Sequence, residues 1–345
     1  MKTALIGAGQ IARQHLACLK TLPNAKLAAV CDLSAATAEA TAERFEIGAW
    51  FTDHRVMLNT VRPDVVHITT PPTSHFQLAM DSLDAGAHVI LEKPATCTFG
   101  ELETLADRAH SGGRALIEDY NYLYNAAPQK ILELVRSGEF GAVTHVDIVI
   151  SLNILGPDGF ADPNSPHPAL KLSGGAIADF LPHLASLAHM FIGAHKSAHA
   201  VWNKRAASPL PYDEFRAVVD GERATASLCF SSNSQPDAFW LRVYGERMFA
   251  SANLFETRLT FDGPRNVPKP LRPFFSGLEE GKKIRRAALA TLLRKFKGPG
   301  AYEGLWELLR RTYLALNAGT EPPITIAQIM EVNRMIEALK PEASA

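Results

Sequence analysis

In the first third of the chain, short apolar runs alternate with amphipathic stretches. Ala4-Leu5-Ile6 reads as a buried strand, and Gln10 to Leu22 as the helix that follows it. Leu27 to Cys31 is a second strand, followed by an alanine-rich helix from Ala35 to Phe45. Val65 to Ile68 and His88 to Leu91 read as further strands, separated by a helix from His75 to Ala85 that Gly86 closes. A helix from Phe99 to His110 and a strand at Ala115-Leu116-Ile117 complete the pattern. Strands alternating with helices of this length predict βαβ units and a parallel sheet.

The periodicity changes after about residue 122, and a domain boundary is placed there, giving 1–122 and 123–345. A helix from Ala127 to Arg136 ends at Gly138, and Val143 to Ser151 alternates like a half-exposed strand. A Gly- and Pro-rich loop spans Gly156 to Gly175. Strand-like runs follow at Arg216–Asp220, Ala224–Ser231, Trp240–Tyr244 and Leu259–Asp262, which predict an antiparallel sheet with one covered face. Helical patterns at Gly304 to Asn317 and Ile326 to Leu339 close the chain. The expected architecture is α/β: an N-terminal Rossmann dinucleotide-binding domain, then an α/β domain with a largely antiparallel open sheet.

Composition narrows the partners. At 345 residues with 47% hydrophobic and 21% charged residues, the chain can bury two substantial cores. A formal net charge of −1 excludes the basic excess that general nucleic-acid binding needs. Cys18, Cys31, Cys97 and Cys229 are too far apart in sequence for a CxxC pair, so neither a zinc site nor a disulfide framework is expected, and no metal is assigned. No secretory leader and no run of about 18 apolar residues is read, so a cytoplasmic location is expected. The segment Lys282 to Lys297 carries seven basic residues with Leu289, Leu292, Leu293 and Phe296 at helical spacing. A membrane-surface helix is one reading; Arg285 falls within the apolar stripe, and a helix packed on a subunit neighbour or over the active site is preferred.

Gly7-Ala8-Gly9-Gln10-Ile11-Ala12 is a G-x-G-x-x-A turn directly after the first strand. Its first glycine permits the tight turn, its second a close approach to a pyrophosphate, and its small third residue close helix–sheet packing. The helix start then offers free N–H groups to phosphate. Asp32, ending the second strand, stands where an acid binds a ribose 2′-OH and disfavours the extra phosphate of NADP, so NAD is the expected cofactor. Glu92-Lys93-Pro94 ends the fourth strand, and a lysine there points toward the cofactor crevice of an open parallel sheet. Asp179 and His183 are four apart and share one face of a helix.

Together with Thr70-Pro71-Pro72-Thr73-Ser74-His75 and Gly174-Gly175, these motifs resemble the glucose–fructose oxidoreductase / inositol dehydrogenase (Gfo/Idh/MocA) family over nearly the whole chain. The resemblance implies cofactor contacts from Gly7, Gly9, Gln10, Ile11, Asp32, Thr70, Pro71, His75, Glu92, Lys93 and Asn121. It implies substrate contacts from Lys93, Tyr122, Lys171, Asp179 and His183. Lys93 would hydrogen-bond the reacting oxygen, His183 would carry its proton, and Asp179 would orient the substrate or assist that transfer. The Lys93–Pro94 bond is expected to be cis by the same resemblance. Tyr122 and Leu123 stand where many relatives carry arginines, which weakens the case for an acidic substrate there. The implied function is hydride transfer between nicotinamide and a secondary alcohol or ketone of a sugar, inositol or nucleotide-sugar. The implied assembly is a homodimer or homotetramer, and the alternative is a non-catalytic, cofactor- and sugar-sensing regulator on the same fold.

Overall fold

Strand β1 (Lys2–Ile6) is apolar on both sides because helices cover both faces of its sheet, and Ala4 and Leu5 are fully buried. The computed structural model describes residues 1–155, 172, 174–206, 210–256, 258–263, 268–295 and 302–341. The chain forms two compact units: Met1–Asn121 with Leu305–Arg334, and Tyr122–Gly304 with Met335–Ala345. The first corrects one expectation. Residues 305–334 do not group with the rest of the C-terminal half but with the N-terminal sheet.

In the first unit β1, β2 (Lys26–Cys31), β3 (Trp50–Phe51), β4 (Val65–Ile68), β5 (His88–Leu91) and β6 (Leu116–Glu118) form one sheet in the order β3-β2-β1-β4-β5-β6. Every pairing is parallel. The order reverses between β1 and β4, which opens the ligand crevice beyond their carboxyl ends. Helices α1 (Ala12–Leu19) and α2 (Ala35–Phe45) pack Leu16, Ala12 and Ala42 onto Leu5 and Val30. Burying leucines of this kind stabilises the fold by about 1.5–3 kcal/mol each.

Sequence patterning missed β3 and the short helix α3 (His54–Val61). Strand β3 is a two-residue edge, too short for alternation to register. Helix α3 has only Met57 and Leu58 buried, although its N-cap Asp53 accepts from the N–H groups of Arg55 and Val56. Helices α4 (His75–Asp84) and α5 (Phe99–Ser111) lie where expected, the latter started by a reciprocal Thr98/Glu101 capping box.

The second unit begins with α6 (Ala126–Arg136) and centres on β7 (Val143–Ser151). Helix α7 (Gly175–Ile192) precedes β8 (His195–Asn203), β9 (Glu214–Gly221), β10 (Thr225–Ser231), β11 (Ala238–Gly245), β12 (Phe249–Asn253) and β13 (Arg258–Asp262). The seven-stranded sheet runs β13-β12-β11-β7-β10-β9-β8 and is antiparallel except for β7 against β10. Alternation is clearest in β9, with Phe215, Ala217 and Val219 buried and Arg216, Val218 and Asp220 exposed. Helix α7 covers the apolar face against β7, β9 and β10. Strands β8 and β12 escaped sequence reading because the first has no fully buried residue and the second is mostly small residues.

By length and mean apolarity α7 meets the criterion for a membrane span, but Asp179, His183 and His189 interrupt its apolar run and 72% of it is buried inside the protein. The basic segment forms α8 (Arg272–Lys295), which runs against β13, with Lys283 Nζ donating to the Phe261 carbonyl at 2.6 Å. Phe274, Phe275, Leu278, Ile284 and Leu289 on it are exposed. Helices α9 (Glu303–Ala318) and α10 (Ile326–Leu339) follow.

The end of α7 is pinned at Gly221, where a Cβ would lie 2.7 Å from Ile192 Cβ, Cγ1 and carbonyl oxygen. Gly221→Ala is therefore expected to cost about 1–3 kcal/mol through overpacking, read as a lowered denaturation midpoint.

Candidate active site

At the end of β1 the chain turns through Gly7 at φ 92°, where a Cβ would come within 2.6 Å of Thr70 Cγ2 and 2.9 Å of its backbone nitrogen. Only glycine meets both the backbone angle and the contact. Gly9 has nothing within 4 Å of where its Cβ would stand, so the backbone there is open to an approaching group. Helices α2, α3 and α5 each have a side-chain N-cap, whereas α1, like α4, α6 and α7, has none. Ile11 occupies its N-cap position, beside exposed Gln10, and leaves the first N–H groups without a side-chain acceptor. Asp32 is tied to this turn: Ala8 N–H donates to Oδ2 at 2.8 Å and Ser34 N–H to Oδ1 at 2.9 Å. The motif residues on β1 and β2 are thus brought together in one place.

The second lip of the crevice follows β4. Thr70 is half-buried and accepts from Ser74 Oγ at 2.8 Å, while Pro71 is exposed. His75 is fully buried, with Nδ1 2.9 Å from the Pro94 carbonyl and Nε2 2.8 Å from the Thr70 carbonyl. It works from beneath, tying the Thr70 turn to the Glu92-Lys93-Pro94 turn. Burial lowers its pKa despite those carbonyls. The Lys93–Pro94 bond is cis.

Behind Lys93 lies a buried polar cluster that sequence reading missed. Glu92 Oε2 accepts from the Lys93 backbone N–H at 3.2 Å, and Oε1 lies 3.0 Å from His15 Nε2. Asp119 Oδ2 is 3.7 Å from the same imidazole nitrogen. Burial pushes the Glu92 carboxyl up, but the hydrogen bond from His15, with the positive charge around it from His15 and then Lys93, outweighs burial and holds it at about 2. Burial and the adjoining Glu92 charge push Asp119 far up. Next to it Glu118 accepts from Tyr120 Oη at 2.6 Å, Asn333 Nδ2 at 2.9 Å and Ala95 N–H at 3.1 Å, yet burial still raises it. Asn121 closes the unit as the first residue of a 3-10 turn, half-buried.

The second unit presents Asp179 and His183 one turn apart on α7, as their spacing predicts. The helix starts from Gly175 at φ 62°, where a Cβ would meet Pro211 Cγ at 2.9 Å. Pro182 within the helix removes the N–H that would bond the Ala178 carbonyl, so the ladder is broken between the two polar residues. His183 is buried, with the Tyr122 ring edge-on at a centroid distance of 4.8 Å and Phe180 at 6.0 Å. Tyr122 also packs edge-on against Phe239 at 4.8 Å, and burial pushes its hydroxyl up to about 12, so it stays a neutral donor. Lys171 lies outside the described residues.

Residues 1–120 match the family model of the oxidoreductase family, NAD-binding Rossmann fold, and residues 129–250 match the GFO/IDH/MocA C-terminal domain. The chain belongs to the GFO/IDH/MocA oxidoreductase family. Among curated relatives, D-glucoside 3-dehydrogenase of Escherichia coli (strain K12) is 30% identical over 58% of this chain and 57% of its own length. Inositol 2-dehydrogenase of Salmonella typhimurium is 26% identical over 41% of this chain and 43% of its own. The chain covers 51% to 64% of the length of the first three curated relatives. Among solved structures, the WlbA dehydrogenase from Bordetella pertussis in complex with NADH and UDP-GlcNAcA superposes with a TM-score of 0.79 at 19% identity. That match covers 98% of this chain and 94% of the other, and at this identity it shows the fold alone.

His75 gives a pH test with a definite sign. Its folded pKa lies below the ordinary 6.5, so below about 6.5 the unfolded chain takes up a proton that the folded chain refuses. Wild-type stability should therefore fall relative to His75→Gln as pH drops through that range, by up to about 1.4 kcal/mol per pH unit. Urea midpoints measured from neutral to mildly acidic pH check this; a pH-independent difference would refute it.

Proposed function

We propose that the protein is an NAD-dependent dehydrogenase or reductase acting on a secondary alcohol or ketone of a sugar, inositol or nucleotide-sugar. The observation that carries this reading is the switch-point turn: Gly7 tight against Thr70, Gly9 open, α1 without a side-chain cap, and Asp32 tied to the turn. These residues fit a dinucleotide. The Gly9 backbone and the α1 N–H groups hold the pyrophosphate, and Asp32 accepts from a ribose hydroxyl. The same carboxylate opposes a 2′-phosphate, so NAD is preferred over NADP, although one curated relative is named D-xylose 1-dehydrogenase (NADP(+)) 2.

Bound NAD supplies the hydride acceptor. Lys93 donates to the reacting oxygen and its charge favours an alkoxide-like transition state. His183 takes the hydroxyl proton in oxidation and returns it in reduction, and Asp179 orients the substrate beside it. Tyr122, neutral and ring-on against His183, suits a polyhydroxylated rather than a strongly acidic substrate. Relatives named for glucoside and inositol substrates support that class. The free cysteines fit a cytoplasmic enzyme, and the exposed outer sheet face, with Val201 and Val218 on it, is offered for pairing into a homodimer or homotetramer.

The test mixes protein with NAD or NADP and a panel of inositols, free sugars and nucleotide-sugars while following reduced cofactor. Turnover with NAD is expected, falling by about 10²- to 10⁴-fold in Lys93→Ala and in His183→Asn. Asp32→Ala should narrow the preference for NAD over NADP. Silence throughout the panel, with NADH still bound, would replace the enzyme reading with that of a cofactor-sensing regulator.

A further inference from the structure

His15 is one end of an unbroken line of buried polar contacts. Its Nδ1 lies 3.0 Å from His67 Nδ1, His67 Nε2 lies 2.9 Å from Tyr313 Oη, and Tyr313 Oη lies 2.9 Å from Thr3 Oγ1. His15, His67 and Thr3 are fully buried and Tyr313 is 1% exposed. The line joins α1, β4, α9 and β1, and ends through His15 Nε2 on the Glu92 carboxylate at the end of β5.

Two facing imidazole nitrogens share one hydrogen, so the line has only two possible polarities. In the first, Thr3 Oγ1 donates to Tyr313, Tyr313 to His67 Nε2, His67 Nδ1–H to His15 Nδ1, and His15 Nε2–H to Glu92. In the second, His15 is an imidazolium, the donors run the other way, and the compensating negative charge falls on Asp119. Burial decides between them. Asp119 is 2% exposed, and its Oδ1 has no hydrogen-bond partner among the described residues. A buried ionised carboxylate with one oxygen left unpaired by protein donors is costly, whereas a neutral acid donating to Glu92 is less so. The rise in the Asp119 pKa agrees with the first polarity, and His67 is a neutral imidazole in both.

We propose that His15, its tautomer fixed by His67 and Tyr313 behind it, is a positioning residue that holds the Glu92 carboxylate against the Lys93 backbone N–H and so sets where the lysine leaves β5. The functional part of this proposal rests on the reading of Lys93 as the group that binds the reacting oxygen. A metal ion is the competing occupant, since His15, Glu92 and Asp119 offer ligand atoms within 4.8 Å of one another. The 3.0 Å separation of His15 Nε2 from Glu92 Oε1 suits one shared hydrogen and equally suits two ligands of one ion, so added zinc is the arm that separates the two.

The test is side-chain ¹⁵N spectroscopy of the histidines in the full, labelled chain at neutral pH. The expected pattern is His15 protonated at Nε2 and bare at Nδ1, with His67 protonated at Nδ1 and bare at Nε2. An imidazolium at His15, the opposite tautomers, or a His15 Nε2 signal displaced by added zinc would overturn the proposal. Tyr313→Phe removes the donor to His67 and should release the tautomers of both His67 and His15. Thr3→Val should leave both in place, because Tyr313 keeps its own hydrogen for His67. The Lys93 backbone amide signal should move in Tyr313→Phe, a readout that needs no turnover and stands even if no substrate is found. With a substrate in hand, the kcat of Tyr313→Phe should fall about three- to tenfold with the KM for NAD nearly unchanged. A change in stability alone, with the Lys93 amide and kcat as in the wild type, would reduce the line to a packing role.

Discussion

Glu92 holds a negative charge at the end of a buried strand, and much of the first unit is arranged around the cost of keeping it there. A carboxylate removed from water must be met by donors on nearly every side. His15 reaches it from α1, the Lys93 N–H from the next residue, and Asp119, its carboxyl pushed up by burial and by Glu92 itself, stands beside it after β6. The loops that line the crevice are packed onto the same turn, since the buried His75 ring lies between the Pro94 and Thr70 carbonyls, within 2.9 Å and 2.8 Å of them. The tight turn at Gly7 leans on Thr70 in its turn. Loosening the carboxylate would therefore disturb the cofactor lip as well as the lysine.

What could be read in the sequence was whatever depends on neighbours along the chain. The G-x-G-x-x-A turn, the acid ending β2 and the i, i+4 pair on α7 are local patterns, and each lies on the element expected of it. Helices α2 and α10 match their predicted limits because an amphipathic face needs only its own period. Strands β3, β8 and β12 were not legible. Their side chains are short, exposed or few, and their place is fixed by pairing partners far away in sequence.

The buried cluster failed to show for the same reason at greater range. His15 sat in a predicted helix and Tyr313 in another, and each would pass for ordinary packing. Residues 3, 15, 67, 92, 119 and 313 come from separate parts of the chain, and only the fold brings each within 4 Å of the next. One signal was present: His15 shares a helical face with Leu16 and Leu19, and a histidine on an apolar stripe implies a buried partner. Residues 305–334 were misassigned because a helix pattern states that an apolar face exists without saying which core receives it.

That late return of the chain has a consequence for how the protein is made. The N-terminal sheet leaves the ribosome long before α9 does, so the strands can pair while the slot for Tyr313 is still empty. Until residue 313 arrives, the Nε2 of His67 has no protein donor and the histidine line is open at one end. An isolated N-terminal segment would thus carry every element of the cofactor motif and still lack part of its own interior. Completion of the first unit waits on α9, synthesised well after the sheet it joins, which gives a nascent, half-made chain no early route to a finished site.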